Sequence, residues 1–362
     1  MSMRSLAFLG RRWQRRRARA AQDSAYEHGQ AARAQHPAAS GVSPSRSAAP
    51  GPPACHAKPM AEVSAIVVTY DAAPWIERSL ESLRGAAAEV IVVDNGSTDG
   101  TLELVRERFP EARVLEQENR GFGAGNNAGM RVASGRYFLL LNPDAWLTDG
   151  ALESLVAFAD EHPEVGVVGP RLLNPDGSLQ RSVRGYPTPW RIATEYFFLR
   201  KLAPRSQALN ALFGAGFDHE SVREADYLFG ACLLVRREAV DSIGGFDEEF
   251  FLMSEEVDWC YRFHQAGWKV LFYPGAEAYH VVGASLNPAR FRHVVRGHLQ
   301  FLRKHQGLRV AERARRVMLW GLRLRGLLFH GERGRAYREA ARWLGSGRIP
   351  SLLSNGHSGT RE

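Results

Sequence analysis

The stretch FLLLNPDAWL, residues 138–147, places four apolar residues directly before Asn142-Pro143-Asp144 and resumes apolar sequence at Ala145. A short apolar run closed by a turn signal reads as a strand covered on both faces. Pro143 has no N–H for a ladder, so pairing stops there. Asp144 then stands at the mouth of the strand. Open α/β sheets bind ligands beyond the carboxyl ends of their strands. A carboxylate at that edge suits a hard divalent cation, Mg²⁺ or Mn²⁺, whose remaining ligands come from phosphates. The competing use of Asp144 is as a helix N-cap, a task for which Thr148 and Asp149 are better placed.

Working outward, VSAIVVT (63–69), EVIVVD (89–94), ARVLE (112–116), RYFLLLN (136–142) and VGVVG (165–169) read as strands. Helical periodicity falls between them at 74–85, 99–109, in a segment ending near Ser134, and at 150–162. This regular alternation predicts an α/β fold: a Rossmann-like, mostly parallel sheet with helices on both faces. Beyond residue 170 a hairpin is expected over 171–182 on an Asn-Pro-Asp-Gly turn. Residues 185–224 read as irregular, 227–236 as a strand, and a helix contains 254–267. The strand 268–274 leads to a loop carrying His280, and from about 288 the chain is helical and Arg-rich.

The chain has 362 residues and a net charge of +8. Residues 1–60 hold ten Arg/Lys against two Asp/Glu, and residues 301–362 fourteen against four. An acidic body therefore lies between two basic ends. The first 60 residues are rich in Ala, Arg, Pro and Ser and are expected to be disordered, either as a binding arm or as a tail without function. Their apolar part, about five residues, is shorter than the roughly 7–15 of a signal peptide. Three cysteines, Cys55, Cys232 and Cys260, share no metal spacing and favour a reducing, cytoplasmic compartment. The balanced charge of 61–362 and the absence of a basic-aromatic motif argue against nucleic acid as partner.

Polar residues gather at three strand ends: Thr69-Tyr70-Asp71, then Asp94 to Gly100, then Asn142 to Asp144. DNGSTDGT is also the composition of a plain turn with a helix cap. The glycine-rich ENRGFGAGNNAG (118–129) contains Gly123-x-Gly125-x-x-Ala128, which fits a dinucleotide fingerprint with Asp144 as the ribose-binding acid. An NAD(P)-dependent oxidoreductase is the alternative on that basis. Against it, five polar residues separate the strand from the glycines, and DNGSTDGT is left without a role.

Together with FGACLLVRREAVDSIGGFDEEFF (229–251), SEEVDWCYRFHQAGWKVLFYP (254–274) and HVVGAS (280–285), these blocks resemble glycosyltransferase family 2, in particular its bacterial rhamnosyltransferase branch. The resemblance spans about residues 63–305. It implies a GT-A fold with a nucleotide-sugar-binding half, 61–170, and an acceptor and catalytic half, 171–305, followed by a basic helical segment, 306–362. It implies an inverting hexosyltransferase that takes a sugar from a dTDP- or UDP-sugar, with dTDP-rhamnose as the expected donor. The acceptor is expected to be a glycan or a polyprenyl-diphosphate-linked sugar of cell-envelope polysaccharide synthesis. Carried over by position, Thr69, Tyr70, Asp94, Arg120, Asn126 and Asn142 would contact the nucleotide-sugar, and Asp144 and His280 would hold Mg²⁺ or Mn²⁺. His280 as an ordinary loop histidine remains open.

The family's Glu-Asp base motif is Glu255-Glu256 here, so Glu256 takes the aspartate's place, with Asp258 and Glu255 behind it. An acidic trio at a helix start is also favourable dipole chemistry. In residues 313–345 Leu, Trp and Phe interleave with Arg. That composition suits a helix lying on an anionic membrane surface and equally a packed helical cap. The first reading places the protein on the inner face of the plasma membrane.

Overall fold

The computed structural model describes residues 63–203, 206–214, 217–281 and 288–354; the amino-terminal 60 residues, with Cys55, lie outside them. The first layer follows the expected alternation. β1 (Val63–Thr69), β2 (Glu89–Asp94), β3 (Arg113–Glu116) and β4 (Tyr137–Leu141) are interleaved with α1 (Ile76–Glu81), α2 (Thr101–Arg108) and α3 (Phe122–Val132). All seven residues of β1 are buried, and they divide by the two-residue period of a strand. Ile66 and Val68 pack with Ala128 and Met130 of α3, whereas Ala65 and Val67 pack with Ile76, Leu80 and Val105 of α1 and α2.

The remaining elements are β5 (Ala145–Leu147), α4 (Ala151–Glu161), β6 (Val165–Leu173), β7 (Leu179–Gln180), β8 (Val183–Arg184), α5 (Pro189–Tyr196) and α6 (Gln207–Asn210). They continue with β9 (Arg223–Glu224), β10 (Tyr227–Leu228), β11 (Cys232–Arg236), α7 (Arg237–Ile243), α8 (Glu255–Gln265) and β12 (Lys269–His280). The main sheet runs β3-β2-β1-β4-β11-β6-β12-β5. Its β3-β2-β1-β4 half is parallel, as is β6-β12, while β11 lies antiparallel between β4 and β6.

Several expectations are corrected. The segment 227–236 is not one strand: β10 pairs β8 in a small second sheet, and β11 enters the main one. Residues 185–224 hold a helix, α5, capped by Thr188, whose hydroxyl accepts from Arg191 N at 3.1 Å. The last long strand does not stop at Pro274. It shifts register between Tyr273 and Glu277 and runs on to His280, where it pairs antiparallel with β5, Ala145 opposite His280. His280 is therefore a strand residue.

This explains the chain path after β4. Asn142 to Ala145 form a turn, with Ala145 N donating to Asn142 O at 3.0 Å. Val281 N then donates to Asp144 O at 2.9 Å. The turn thus presents Asp144 to the end of β12.

The carboxyl-terminal helices are α9 (Pro288–Gln306), α10 (Leu308–Leu328), α11 (Gly331–Gly345) and α12 (Ile349–Ser354). They form a packed cap. α10 crosses α5 where Gly321 lies against Tyr196; a Cβ there would sit 2.6 Å from that of Tyr196. Buried Arg325 donates from Nε to Tyr196 O at 3.0 Å and pairs with Glu195 at 3.0 Å. Its stem and charge are thus used inside the protein. Trp320, Leu327 and Leu328 of the same helix are exposed. Among the described residues no helix is long and apolar enough to cross a membrane.

Candidate active site

Parallel pairing sets Thr69 beside Asp94, and Asp94 beside Glu116. The loops that follow β1 and β2 are laced together. Asp71 Oδ1 accepts from Thr98 N at 2.7 Å, and Asp99 Oδ2 accepts from Ala73 N at 3.0 Å. Asp71 N in turn donates to Ser97 Oγ at 3.0 Å. Asp71 holds φ at +50°, a conformation that Asp tolerates better than most residues. Asp94 is nearly enclosed: its Oδ2 accepts from Gly96 N and Ser97 N, each at 3.0 Å, and its Oδ1 from Ser97 Oγ at 2.5 Å. DNGSTDGT is thus a self-bonded turn. Thr69 is enclosed beneath it, its hydroxyl without a partner among the described residues, whereas Tyr70 is 55% exposed at the open rim.

Asp144 Oδ1 lies 3.3 Å from His280 Nε2, and Asn142 Nδ2 lies 3.5 Å from the same nitrogen. On the other side of the ring, His280 Nδ1 lies 2.8 Å from Gln180 Oε1. Gln180 Nε2 donates to Asn174 Oδ1 and to His280 O at 3.0 and 3.2 Å. Both are acceptors, so the amide orientation is settled and Oε1 must accept from Nδ1–H. In the neutral ring, Nε2 then presents its lone pair toward Asp144. A lone pair and a carboxylate oxygen face each other, an arrangement that a shared cation or a proton on Nε2 relieves. Asn142 Oδ1 is also buried without a partner among the described residues. Asp144, His280 and Asn142 therefore fit a hard divalent cation that draws further ligands from phosphate oxygens. Among the described residues no three His, Cys, Asp or Glu side chains converge as a complete protein cage.

Three successive residues join this pair to the acidic helix. The Phe229 ring lies 5.5 Å from that of His280. A Cβ at Gly230 would stand 3.6 Å from Glu256 Cβ, and Ala231 O accepts from Asn142 N at 2.9 Å. Asp144, His280 and Glu256 are thus gathered about one short segment ahead of β11.

Glu256 Oε2 accepts from Ser254 N at 3.1 Å. Burial pushes its carboxyl above the usual range, with the Arg184 charge pulling the other way. Glu255 is buried, with Oε2 unpartnered among the described residues; burial, then the charge of Glu256, raises its pKa well above the ordinary value. Met253 and Ser254 just before them adopt φ of +70° and +80°. Two successive left-handed non-glycine residues store strain of the kind found at functional sites.

Asp258 is directed elsewhere. Its fully buried carboxylate meets His305 Nε2 and Lys304 Nζ at 2.7 Å and Arg262 Nε at 2.9 Å. Burial alone would raise its pKa. The hydrogen bonds from His305 and Lys304 and the Arg262 charge outweigh burial and bring it to about 2. Asp258 joins α8 to α9 and is not brought to the group around Asp144.

Arg120 and Asn126 also stand apart from that group. Arg120 is exposed and pairs with Glu248 at 2.9 Å, and the buried Asn126 Nδ2 donates to Phe122 O within its own helix. Asn127, not singled out by the sequence, holds the 246–248 loop through Phe246 O and Glu248 at 2.9 and 3.0 Å. The glycines serve packing. A Cβ at Gly125 would lie 2.6 Å from Val68 Cγ1, and one at Gly129 2.5 Å from Ile66 Cγ2. Helix α3 thus rests directly on β1. Gly121, at φ +102°, is pressed on Phe251 O, which accepts from Phe122 N at 3.1 Å. These approaches account for the glycine pattern without a dinucleotide, and the oxidoreductase reading is set aside.

The edge of a mostly parallel α/β sheet thus carries an acid–histidine pair, Asp144 and His280, with the buried Glu256 nearby. The family model for glycosyl transferase family 2 matches residues 64–244, and the chain belongs to that family. Among curated proteins, it is 34% identical over 230 residues to N-acetylglucosaminyl-diphospho-decaprenol L-rhamnosyltransferase of Mycobacterium tuberculosis, covering 59% of this chain and 74% of that protein. A low-salt glycan biosynthesis hexosyltransferase of Haloferax volcanii is 27% identical over 206 residues, covering 56% of this chain and 61% of that one. Among solved structures, GalNAc-T7 with UDP, GalNAc and Mn²⁺ superposes with a TM-score of 0.51 at 14% identity, covering 82% of this chain and 58% of that one. That likeness supports the fold alone.

Proposed function

We propose that the chain transfers rhamnose, with inversion, from dTDP-rhamnose to an N-acetylglucosaminyl-diphospho-polyprenol acceptor. The choice of sugar and acceptor is supported by the mycobacterial relative, whose name states both the sugar transferred and the lipid-linked substrate. The observation that supports the chemistry is the segment Phe229–Ala231, which touches His280 through Phe229, Glu256 through Gly230 and Asn142 through Ala231.

In this reading residues 61–170 bind the donor, with Tyr70 at the open rim for the base, and 171–305 supply the acceptor side. Glu256, ionised, accepts the proton of the acceptor hydroxyl. The hydroxyl oxygen bonds to the anomeric carbon as the bond to the dTDP oxygen breaks, which reverses the configuration. Asp144 and His280, with Asn142 beside them, would hold Mg²⁺ or Mn²⁺, which when bound neutralises charge on the departing diphosphate. Gln180 fixes the histidine tautomer, as outer partners of metal-binding histidines do. The exposed Trp320, Leu327 and Leu328, interleaved with arginines, would rest on an anionic membrane surface where a polyprenyl acceptor resides. That places the protein on the cytoplasmic face of the plasma membrane.

A donor screen tests this. dTDP-rhamnose, UDP-glucose, UDP-galactose and UDP-GlcNAc are offered with a short-chain N-acetylglucosaminyl-diphospho-prenol and Mg²⁺ or Mn²⁺. Rhamnose alone is expected in the product, with its anomeric configuration reversed by NMR. Transfer of another sugar overturns the donor assignment, and no transfer from any donor overturns the reaction.

A further inference from the structure

A cavity of about 630 Å³ opens between the β7–β8 segment and the α5–α6 region. Its walls include Gln180, Arg181 and Arg184 on one side and Thr194, Glu195 and Arg200 on the other. Two of these residues belong to the chemistry already described. Gln180 accepts from His280 Nδ1, and the Arg184 charge acts on Glu256 while its guanidinium lies 4.9 Å from the centre of the Phe229 ring. The cavity is therefore the chamber adjoining the Glu256 side of the site.

Its charge is one-sided. Three arginines face one carboxylate, Glu195, and that carboxylate is engaged by Arg200 at 2.6 Å and by Arg325 at 3.0 Å. Arg181 has no carboxylate partner among the described residues. Guanidinium groups match phosphate oxygens in charge and fork geometry. The surface beyond Arg200 changes character. Leu202 is 80% exposed, and the Phe198 ring lies 6.0 Å from Phe329, which follows the exposed Leu327 and Leu328. A cationic chamber that leads to an apolar lip has the chemistry of a prenyl diphosphate.

We propose that this cavity binds the diphosphate of the acceptor, with Arg181 and Arg200 on its phosphates and Arg184 between them and Glu256. The isoprenoid chain leaves over Leu202, Leu327 and Leu328. The proposal rests on the reading of a lipid-linked acceptor and adds where the diphosphate sits.

The test is calorimetric titration of farnesyl diphosphate into the full chain saturated with dTDP and Mn²⁺, with inorganic diphosphate and farnesol as separate arms. Farnesyl diphosphate is expected to bind more tightly than either fragment. R181A/R200A is expected to weaken it at least about tenfold, since hydrogen bonds to charged groups are the stronger ones. R181A alone serves if loss of the Arg200–Glu195 pair lowers the melting temperature. No binding beside bound dTDP, or equal affinity in R181A, overturns the proposal. The same variants are assayed with the lipid-linked acceptor and with an N-acetylglucosaminide of a neutral alcohol. Loss of preference for the diphosphate acceptor supports the site, and an unchanged preference overturns it. Because binding is read without transfer, a chain that binds farnesyl diphosphate through Arg181 yet moves no rhamnose loses the proposed reaction and keeps the cavity.

Discussion

Gln180 and His280, one hundred positions apart, are joined by a 2.8 Å hydrogen bond that determines which ring nitrogen faces Asp144. Gln180→Leu removes that determinant and leaves Asp144 and His280 in place. Outer-partner losses of this kind cost roughly 10–100-fold in metal affinity. Mn²⁺ titration in the presence of dTDP, followed by electron paramagnetic resonance, is expected to show a loss in that range. Wild-type affinity in Gln180→Leu would remove His280 as a ligand.

Glu256→Gln is expected to keep dTDP binding and to lower kcat by roughly 10²–10⁴-fold, the usual worth of a general base. The base must be ionised, and burial raises its pKa. The wild-type rate should therefore climb with pH through a limb lying above the ordinary carboxyl value of 4.5, and that limb should vanish in the variant. Near-normal turnover would transfer the role to another group.

Gly125→Ala would drive a methyl into Val68. Overpacking of this kind typically costs about 1–3 kcal/mol, readable as a shift in urea midpoint. Val68→Ala in the same chain should recover part of the loss. Additive effects of the two changes would show that the contact does not explain the glycine.

Asp258 provides a stability signature. Its pKa is lowered from 3.8 to about 2, so it stabilises the fold fully above the unfolded value and less as pH falls toward 2. The shift corresponds to about 2 kcal/mol. Asp258→Asn removes the charge shared by Arg262, Lys304 and His305 and is expected to cost about 2 kcal/mol at pH 7, with a flatter profile between pH 4 and 2. Equal urea midpoints for variant and wild type at both pH values would contradict this account.

The exposed apolar face of α10 is tested by flotation with anionic vesicles. W320E/L327E should weaken binding at least about tenfold, because each large apolar side chain contributes about 1.5–3 kcal/mol when buried. Equal flotation of variant and wild type would dismiss the membrane contact.

The parallel half of the sheet was legible because its strands are unbroken apolar runs, such as Ala65 to Val68, that end in polar turns. The position of Asp144 just beyond the end of β4 was legible for the same reason. Gln180 was not, since its importance arises only when β7 pairs with β6 and brings it beneath His280. The length of β12 was masked by Pro274-Gly275, a pair that ordinarily ends a strand. The register shift there lets the chain continue. Helix α5 did leave a trace, Thr188 followed by Pro189, a cap residue with proline at the first helical position. The position of Asn126 on an inward helical face follows from periodicity and could have separated it from Asn127.

The clasp of Asp258 by Lys304 and His305 has a practical corollary. The helix that begins with the two glutamates is riveted to the far end of α9, so the cap is no removable appendage. A shortened chain that stops before Lys304 would strip a buried anion of two hydrogen-bond partners at the back of the helix bearing Glu256. Anyone trimming this enzyme to a minimal catalytic unit must cut after His305.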